Sequence, residues 1–219
     1  MTVHLDQQPG VQELDVDLAQ IYLVRDFLNR EECEEVIAAI NKSMRPSTVT
    51  RGRGDYRTSQ TCNFREDSSE LAWRLDQRIS ALLGIDPELS EPIQGQRYNV
   101  GEYFKEHCDW FAPGTPEYVK HTSHGGQRTW TVMVYLNDVE KGGKTRFKHL
   151  DLDFTPELGL ALIWNNLFVT GEGNPHTLHE AMPVEKGNKW VITKWFREQL
   201  GRNHWTEEQK VAEKVKDRV

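Results

Sequence analysis

Two periodicities divide the chain. In the first ninety residues apolar positions recur at helical spacing. Val36, Ile37 and Ile40 follow Asn29 and Glu32, a pair with capping-box spacing, and predict an amphipathic helix. Asp67 and Glu70 repeat that spacing ahead of Leu71, Leu75, Ile79 and Leu82, and Gly84 is placed to stop a second helix. Each helix is expected to pack its apolar face on a sheet. From about Gln94 the texture changes to short segments rich in β-branched and aromatic residues: Gln94 to Tyr98, Trp130 to Leu136, Leu158 to Trp164 and Trp190 to Phe196. Turn residues such as Gly142-Gly143 and Gly171 to Pro175 separate them. The pattern predicts an α+β, mainly β protein: a sandwich or jelly roll braced by N-terminal helices.

Residues 1–200 read as one domain, with helical support over 1–90 and the β part over about 91–200. A charged tail follows at 201–219, where Thr206 and Gln209 could cap a short helix. Two long connections interrupt the strands, Phe111 to Gln127 and Asn165 to Thr177, and loops of that length predict lids over a site.

Composition narrows the function. Net charge is 27 − 34 = −7 with both signs interspersed, which argues against a nucleic-acid partner. No stretch is apolar enough for a membrane span, and the polar first ten residues lack the apolar core of a signal peptide. Three scattered cysteines, Cys33, Cys62 and Cys108, suit neither a disulfide framework nor a thiolate zinc site. A cytoplasmic location is expected, and the oligomeric state is left open.

The candidate chemistry lies near the two loops. On a strand, Glu106-His107-Cys108-Asp109 would point His107 and Asp109 to one face. A further imidazole would complete the two-histidine, one-carboxylate set that suits non-haem iron(II). His179 precedes Lys189 by ten residues, with Gly187 between them. If that glycine turns the chain between neighbouring strands, both side chains can face one cavity. A lysine in an apolar cavity asks for an anion. A dicarboxylate that chelates iron at one end and meets Lys189 at the other satisfies both demands.

From Arg57 to Arg197 the chain resembles the prolyl 4-hydroxylase group of iron(II)- and 2-oxoglutarate-dependent dioxygenases. Arg57-Thr58-Ser59, Gln96 to Gly101, His107-Cys108-Asp109, Arg128, Thr131, Tyr135 to Asp138, Gly142 to Phe147, His179 to Lys189 and Trp195 carry the likeness. The resemblance implies a double-stranded β-helix and a metal held by His107, Asp109 and His179. It implies Fe(II), 2-oxoglutarate and O2 as cofactor and co-substrates, with ascorbate as a family expectation. It assigns Lys189, Tyr98 and Thr193 to 2-oxoglutarate, and Arg128 and Trp195 to the substrate. A packed core would account equally for Thr193 and Trp195, and an ion pair for Arg128.

The retained Asp109 favours hydroxylation, since related halogenases carry a small residue there. One departure concerns the substrate: Phe104 stands where peptide-acting relatives often have tyrosine, and Tyr103 would face away. A prolyl residue in a peptide or protein is the leading substrate, and a free amino acid or other small metabolite the alternative. A non-catalytic jelly-roll binding module is the remote third reading.

Overall fold

The computed structural model describes residues 5–42, 44–47, 56–64 and 70–199. The expected cap at Asp67 and the expected tail helix lie outside them. The strands are β1 Val11–Glu13, β2 Ile21–Val24, β3 Arg45–Pro46, β4 Gln60–Asn63, β5 Gln94–Tyr98, β6 Phe104–His107 and β7 Arg128–Tyr135. They continue as β8 Lys141–Gly142, β9 Thr145–Phe147, β10 Leu152–Phe154, β11 Ala161–Asn165, β12 His179–Ala181, β13 Val184–Lys186 and β14 Lys189–Arg197. The helices are α1 Arg30–Lys42, α2 Glu70–Leu83 and α3 Pro116–Thr122.

Eight strands form one sheet in the order β1-β2-β11-β7-β14-β5-β4-β3, and four form a second in the order β10-β9-β12-β6. Their ladders are antiparallel. The two sheets face each other as the expected jelly roll.

Side-chain alternation along the large sheet sorts the core into two layers. Trp130, Val132 and Val134 of β7, Ala161 and Ile163 of β11, and Trp190, Ile192 and Phe196 of β14 pack against the helices. Met133, Tyr135, Leu162, Trp164 and Val191 point the other way and meet Phe147 and Phe154 of the small sheet. The intersheet layer contains the candidate site; the helix layer supports it from behind.

The capping box of α1 is formed as expected. The Asn29 amide donates to Glu32 Oε2 at 2.8 Å, and the Glu32 amide donates to Asn29 Oδ1 at 2.9 Å. The helix buries Cys33, Val36 and Ile40. Gly95 on β5 permits its close approach, because a Cβ there would lie 2.5 Å from Ile40 Cγ1.

Helix α2 packs its expected face on the core, and further residues widen that face. Its buried residues are Ala72, Leu75, Asp76, Ile79, Ser80 and Leu83, while Leu71 and Leu82 are only partly buried. Asp76 joins the face because buried Lys194, on the helix side of β14, bonds it. Gly84 ends the helix at φ +68°, with Ile85 N–H bonding Ser80 O at 3.1 Å and Gly84 N–H bonding Ala81 O at 3.2 Å.

The connection from Phe111 to Gln127 is structured along its length. Pro116 opens α3 inside it, and Thr115 caps that helix by accepting the Tyr118 amide at 3.1 Å. The Gln127 side chain closes the segment by bonding both the N–H and the C=O of Phe111, at 2.8 and 2.7 Å. No described helix is long and apolar enough to cross a membrane.

Candidate metal centre

Two paired strands bring the histidines together. His107 ends β6, His179 begins β12, and they are cross-strand partners with ring centroids 4.3 Å apart. Asp109 arrives by a different route from the one alternation suggested. β6 stops at His107, and a bend returns the Asp109 carboxylate to within 3.8 Å of His107 Nε2. One ligand atom from each of His107, Asp109 and His179 lies within 4.8 Å of the other two. No other such cluster of histidine, cysteine or acidic residues occurs among the described residues.

Backbone carbonyls fix both imidazoles. His107 Nδ1 lies 2.8 Å from Lys105 O, and His179 Nδ1 lies 2.9 Å from Thr177 O. A carbonyl only accepts, so each Nδ1 carries the proton and each Nε2 is left as a free donor to a metal. Burial, reinforced by neighbouring His179, pushes His107 down to about 3, so its imidazole is neutral at physiological pH. Burial alone would raise Asp109, but the positive charge that His179 and His107 carry when protonated, and the Arg128 guanidinium, hold its carboxyl below the ordinary range. Thr131 donates to Asp109 Oδ2 at 2.8 Å. Two neutral imidazoles and one carboxylate, with the remaining side open to a cavity, fit a non-haem iron(II) ion.

The cavity measures about 420 Å³ including its solvent-open space. At its far end Lys189 is 1% exposed, and its Nζ donates to Thr145 Oγ1 at 3.3 Å. The ammonium lies 5.4 Å from the ring centroids of both Tyr98 and Tyr135. No carboxylate among the described residues pairs with it, and burial pushes it down to about 7. Tyr98 and Thr193 also line the cavity and are joined through Gln96. The Tyr98 hydroxyl donates to Gln96 Oε1 at 2.8 Å, and Gln96 Nε2 donates to Thr193 Oγ1 at 3.1 Å.

His179 and Lys189 do face one cavity, though Gly187 does not join neighbouring strands to achieve it. β13 pairs with β8, whereas β14 pairs with β5 and β7. The two residues therefore come from opposite sheets and look at each other across the sandwich.

The chain is similar to known proteins. Residues 93–197 match the family described as the 2OG-Fe(II) oxygenase superfamily. The human prolyl 4-hydroxylase subunit alpha-1 is 32% identical over 197 residues, which is 87% of this chain and 36% of that protein. The mouse prolyl 4-hydroxylase subunit alpha-3 is 33% identical over 198 residues, covering 87% and 36%. The viral collagen prolyl hydroxylase of Paramecium Bursaria Chlorella virus-1, solved as its 2OG complex, superposes with a TM-score of 0.65 at 25% identity. That match covers 81% of this chain and 95% of the viral one.

The chain carries, over residues 93–197, a domain of the 2OG-Fe(II) oxygenase superfamily. It spans about a third of the length of the curated prolyl 4-hydroxylase subunits it matches.

Within this oxygenase fold the two expected substrate residues differ in position. Trp195 lines the cavity, but Arg128 sits behind it. Arg128 donates to both Glu91 carboxylate oxygens, at 2.6 and 2.7 Å, and its guanidinium lies 4.0 Å from the Trp195 ring centroid. His176, three residues before His179, is outside the metal cluster. His121 stacks on Phe111 with centroids 5.0 Å apart, away from the ligand set.

Several cavity residues had no role assigned from sequence. Arg57 is buried, bonding Ser59 Oγ at 2.8 Å and Gln94 Oε1 at 3.2 Å. Its guanidinium lies 4.7 Å from the Phe104 ring centroid, and Phe104 stacks on His107 at 3.7 Å. Thr131 and Trp164 share the intersheet face. A threonine between Trp130 and Val132, on the same face as Met133 and Tyr135, was the available signal: one small polar side chain in a buried apolar strand.

Proposed function

We propose that the chain is an Fe(II)/2-oxoglutarate-dependent dioxygenase that hydroxylates an unactivated C–H bond, with a prolyl residue of a peptide or protein as its leading substrate. One observation carries the reading: a two-histidine, one-carboxylate set at one end of a cavity and a buried, anionless Lys189 at the other. When bound, the iron supplies oxygen activation, in which substrate, 2-oxoglutarate and O2 become hydroxylated product, succinate and CO2.

The protein's own work is placement. His107, Asp109 and His179 hold the metal from one side and leave the cavity side for co-substrates. Lys189 takes a proton when it meets the distal carboxylate, the Thr193 hydroxyl has its proton free for that carboxylate, and the Tyr98 hydroxyl can donate to it on releasing Gln96. Trp195, Phe104 and Arg57 form the wall where a substrate ring would lie and from which water is excluded. The similarity to prolyl 4-hydroxylase alpha subunits and to a viral collagen prolyl hydroxylase supports the prolyl substrate.

A second reading, hydroxylation of a free amino acid, draws on Arg57 and Phe104. Phe104 offers no hydroxyl to a peptide, and Arg57 has no carboxylate partner among the described residues, so it could meet a free carboxylate. Ascorbate as accessory reductant and a cytoplasmic location belong to the same proposal; the three free thiols suit a reducing compartment.

The test is succinate formation by iron-loaded wild type and His179→Ala, without substrate, with proline-rich peptides and with free amino acids. Wild-type turnover stimulated by peptide supports the leading reading, and stimulation by amino acid alone favours the second. Wild type that makes no more succinate than His179→Ala under every addition contradicts both.

A further inference from the structure

Asp109 is held in place by residues distant from it in sequence. Thr131 Oγ1 donates to Asp109 Oδ2 at 2.8 Å, and Asn166 Nδ2 lies 2.8 Å from the same threonine oxygen. The directions of these bonds follow from the inventory of protons. A carboxylate only accepts, so the single Thr131 hydroxyl proton must point at Asp109. Thr131 Oγ1 is then an acceptor toward Asn166, and the asparagine must present its NH2 end. Thr131 and Asn166 are both fully buried, so no solvent competes for these bonds. The other end of the amide, Asn166 Oδ1, has no hydrogen-bond partner among the described residues, a cost that this orientation imposes on the fold.

The main chain of Asn166 reaches toward a second metal ligand. Its carbonyl accepts from Asn174 N–H at 2.9 Å, and the Asn174 carbonyl accepts from the Thr177 hydroxyl at 2.8 Å. Thr177 O is the acceptor that orients His179. Asn166 thus touches neither metal ligand, yet lies on the bonded route to both.

We infer that Asn166 is a positioning residue for the metal centre: by donating to Thr131 it commits the threonine proton to Asp109 Oδ2 and keeps Oδ1 as the metal-facing oxygen. This inference rests on the metal-dependent reading proposed above. Without the asparagine N–H, Thr131 Oγ1 loses the donor that anchors it opposite Asp109, its hold on the carboxylate slackens, and the donor set loosens without losing a ligand. Outer-shell partners of this type change metal affinity by about 10- to 100-fold in other proteins.

The test measures metal binding directly, with cobalt(II) as the probe in place of iron(II). Chelator competition gives the affinity, and the visible cobalt spectrum reports the ligand geometry. Wild type, Asn166→Ala, Thr131→Val, their double variant and Thr131→Ser are compared, with apo thermal unfolding as the check on folding. Asn166→Leu, close in volume but without a donor, replaces Asn166→Ala if the latter does not fold. The single Asn166 and Thr131→Val variants should each bind cobalt about tenfold more weakly, with altered spectra. Because Asn166 acts through Thr131, the double variant should also lose about tenfold and not about a hundredfold. Thr131→Ser, which keeps the hydroxyl, should restore affinity and spectrum. Losses that multiply in the double variant, or Asn166 variants with wild-type affinity and spectrum, would overturn the inference while leaving the proposed function standing. Wild type that takes up no cobalt would overturn both.

Discussion

Lys189 and Lys194 lie five residues apart on β14, and the odd spacing sends them to opposite faces of the same sheet. Both are buried to 1% exposure or less, and burial lowers the pKa of each. Their surroundings differ in one respect. Lys194, under α2, pairs with Asp76 and donates to Ser90 Oγ at 2.6 Å and Glu91 O at 3.3 Å. Lys189, between the sheets, has a threonine hydroxyl at 3.3 Å and two tyrosine rings, with no carboxylate among the described residues. One lysine has its anion built into the fold, and the other has an open cavity where an anion would sit. A buried ammonium becomes informative about function only when its partner is missing.

The contrast can be broken from either side. The largest effect is expected at Lys194, because Lys194→Met strands Asp76 as an uncompensated buried charge. Urea unfolding should show a loss of about 3–5 kcal/mol, largely restored by the second change Asp76→Leu. Lys189→Met should do the reverse. The apo protein should be at least as stable as wild type, while 2-oxoglutarate affinity measured by calorimetry on iron-loaded protein falls by about 2–4 kcal/mol, roughly 30- to 1000-fold.

The pH dependence sharpens the same comparison. Lys189 titrates near 7 in the apo fold, below its ordinary value of 10.5. Between those values the unfolded chain holds a proton that the folded chain does not, so stability rises with pH across that window. It declines as pH falls through the window toward about 7 and is flat below. Denaturation of wild type against Lys189→Met should isolate this slope. By the same logic 2-oxoglutarate binding above pH 7 takes up a proton, visible in calorimetry as a heat that depends on buffer ionisation. The smallest effect is expected from Thr145→Val, which removes one hydrogen-bond partner of Lys189 and should weaken 2-oxoglutarate binding by about 1 kcal/mol.

The strands were legible in the sequence because enrichment in β-branched and aromatic residues between turns is a local property, whereas the role of Lys194 was not. That enrichment placed β5, β7, β11 and β14 within a few residues of their observed bounds, and β14 is the strand that carries Lys189, Thr193 and Trp195. Helix α1 was legible through its cap. What escaped depended on bonds between distant residues. Asp109 lies beyond the end of β6 and is held by Thr131, 22 positions away, which is in turn held by Asn166, another 35 away. No local pattern encodes those contacts.

The buried face of α2 is wider than its apolar spacing shows, because Asp76 is held in it by Lys194, a partner 118 residues distant. The Thr115-Pro116 start of α3 was a local signal, hidden inside a segment whose glycines and prolines read as loop. Arg128 illustrates the limit of a family resemblance. Its position matches, but the structure shows a guanidinium already bonded to Glu91 and stacked behind Trp195.

The most direct test of the central claim, that one cavity holds a metal at one end and a dicarboxylate at the other, is an anaerobic titration of iron(II)-loaded protein with 2-oxoglutarate, followed by calorimetry in wild type and Lys189→Met. The account predicts one 2-oxoglutarate bound per iron in wild type with proton uptake above pH 7. It predicts a Lys189→Met protein that keeps its iron but binds the dicarboxylate at least 30-fold more weakly, about 2 kcal/mol. Iron-loaded wild type that ignores 2-oxoglutarate, or a Lys189→Met protein that binds it equally well, would contradict the account.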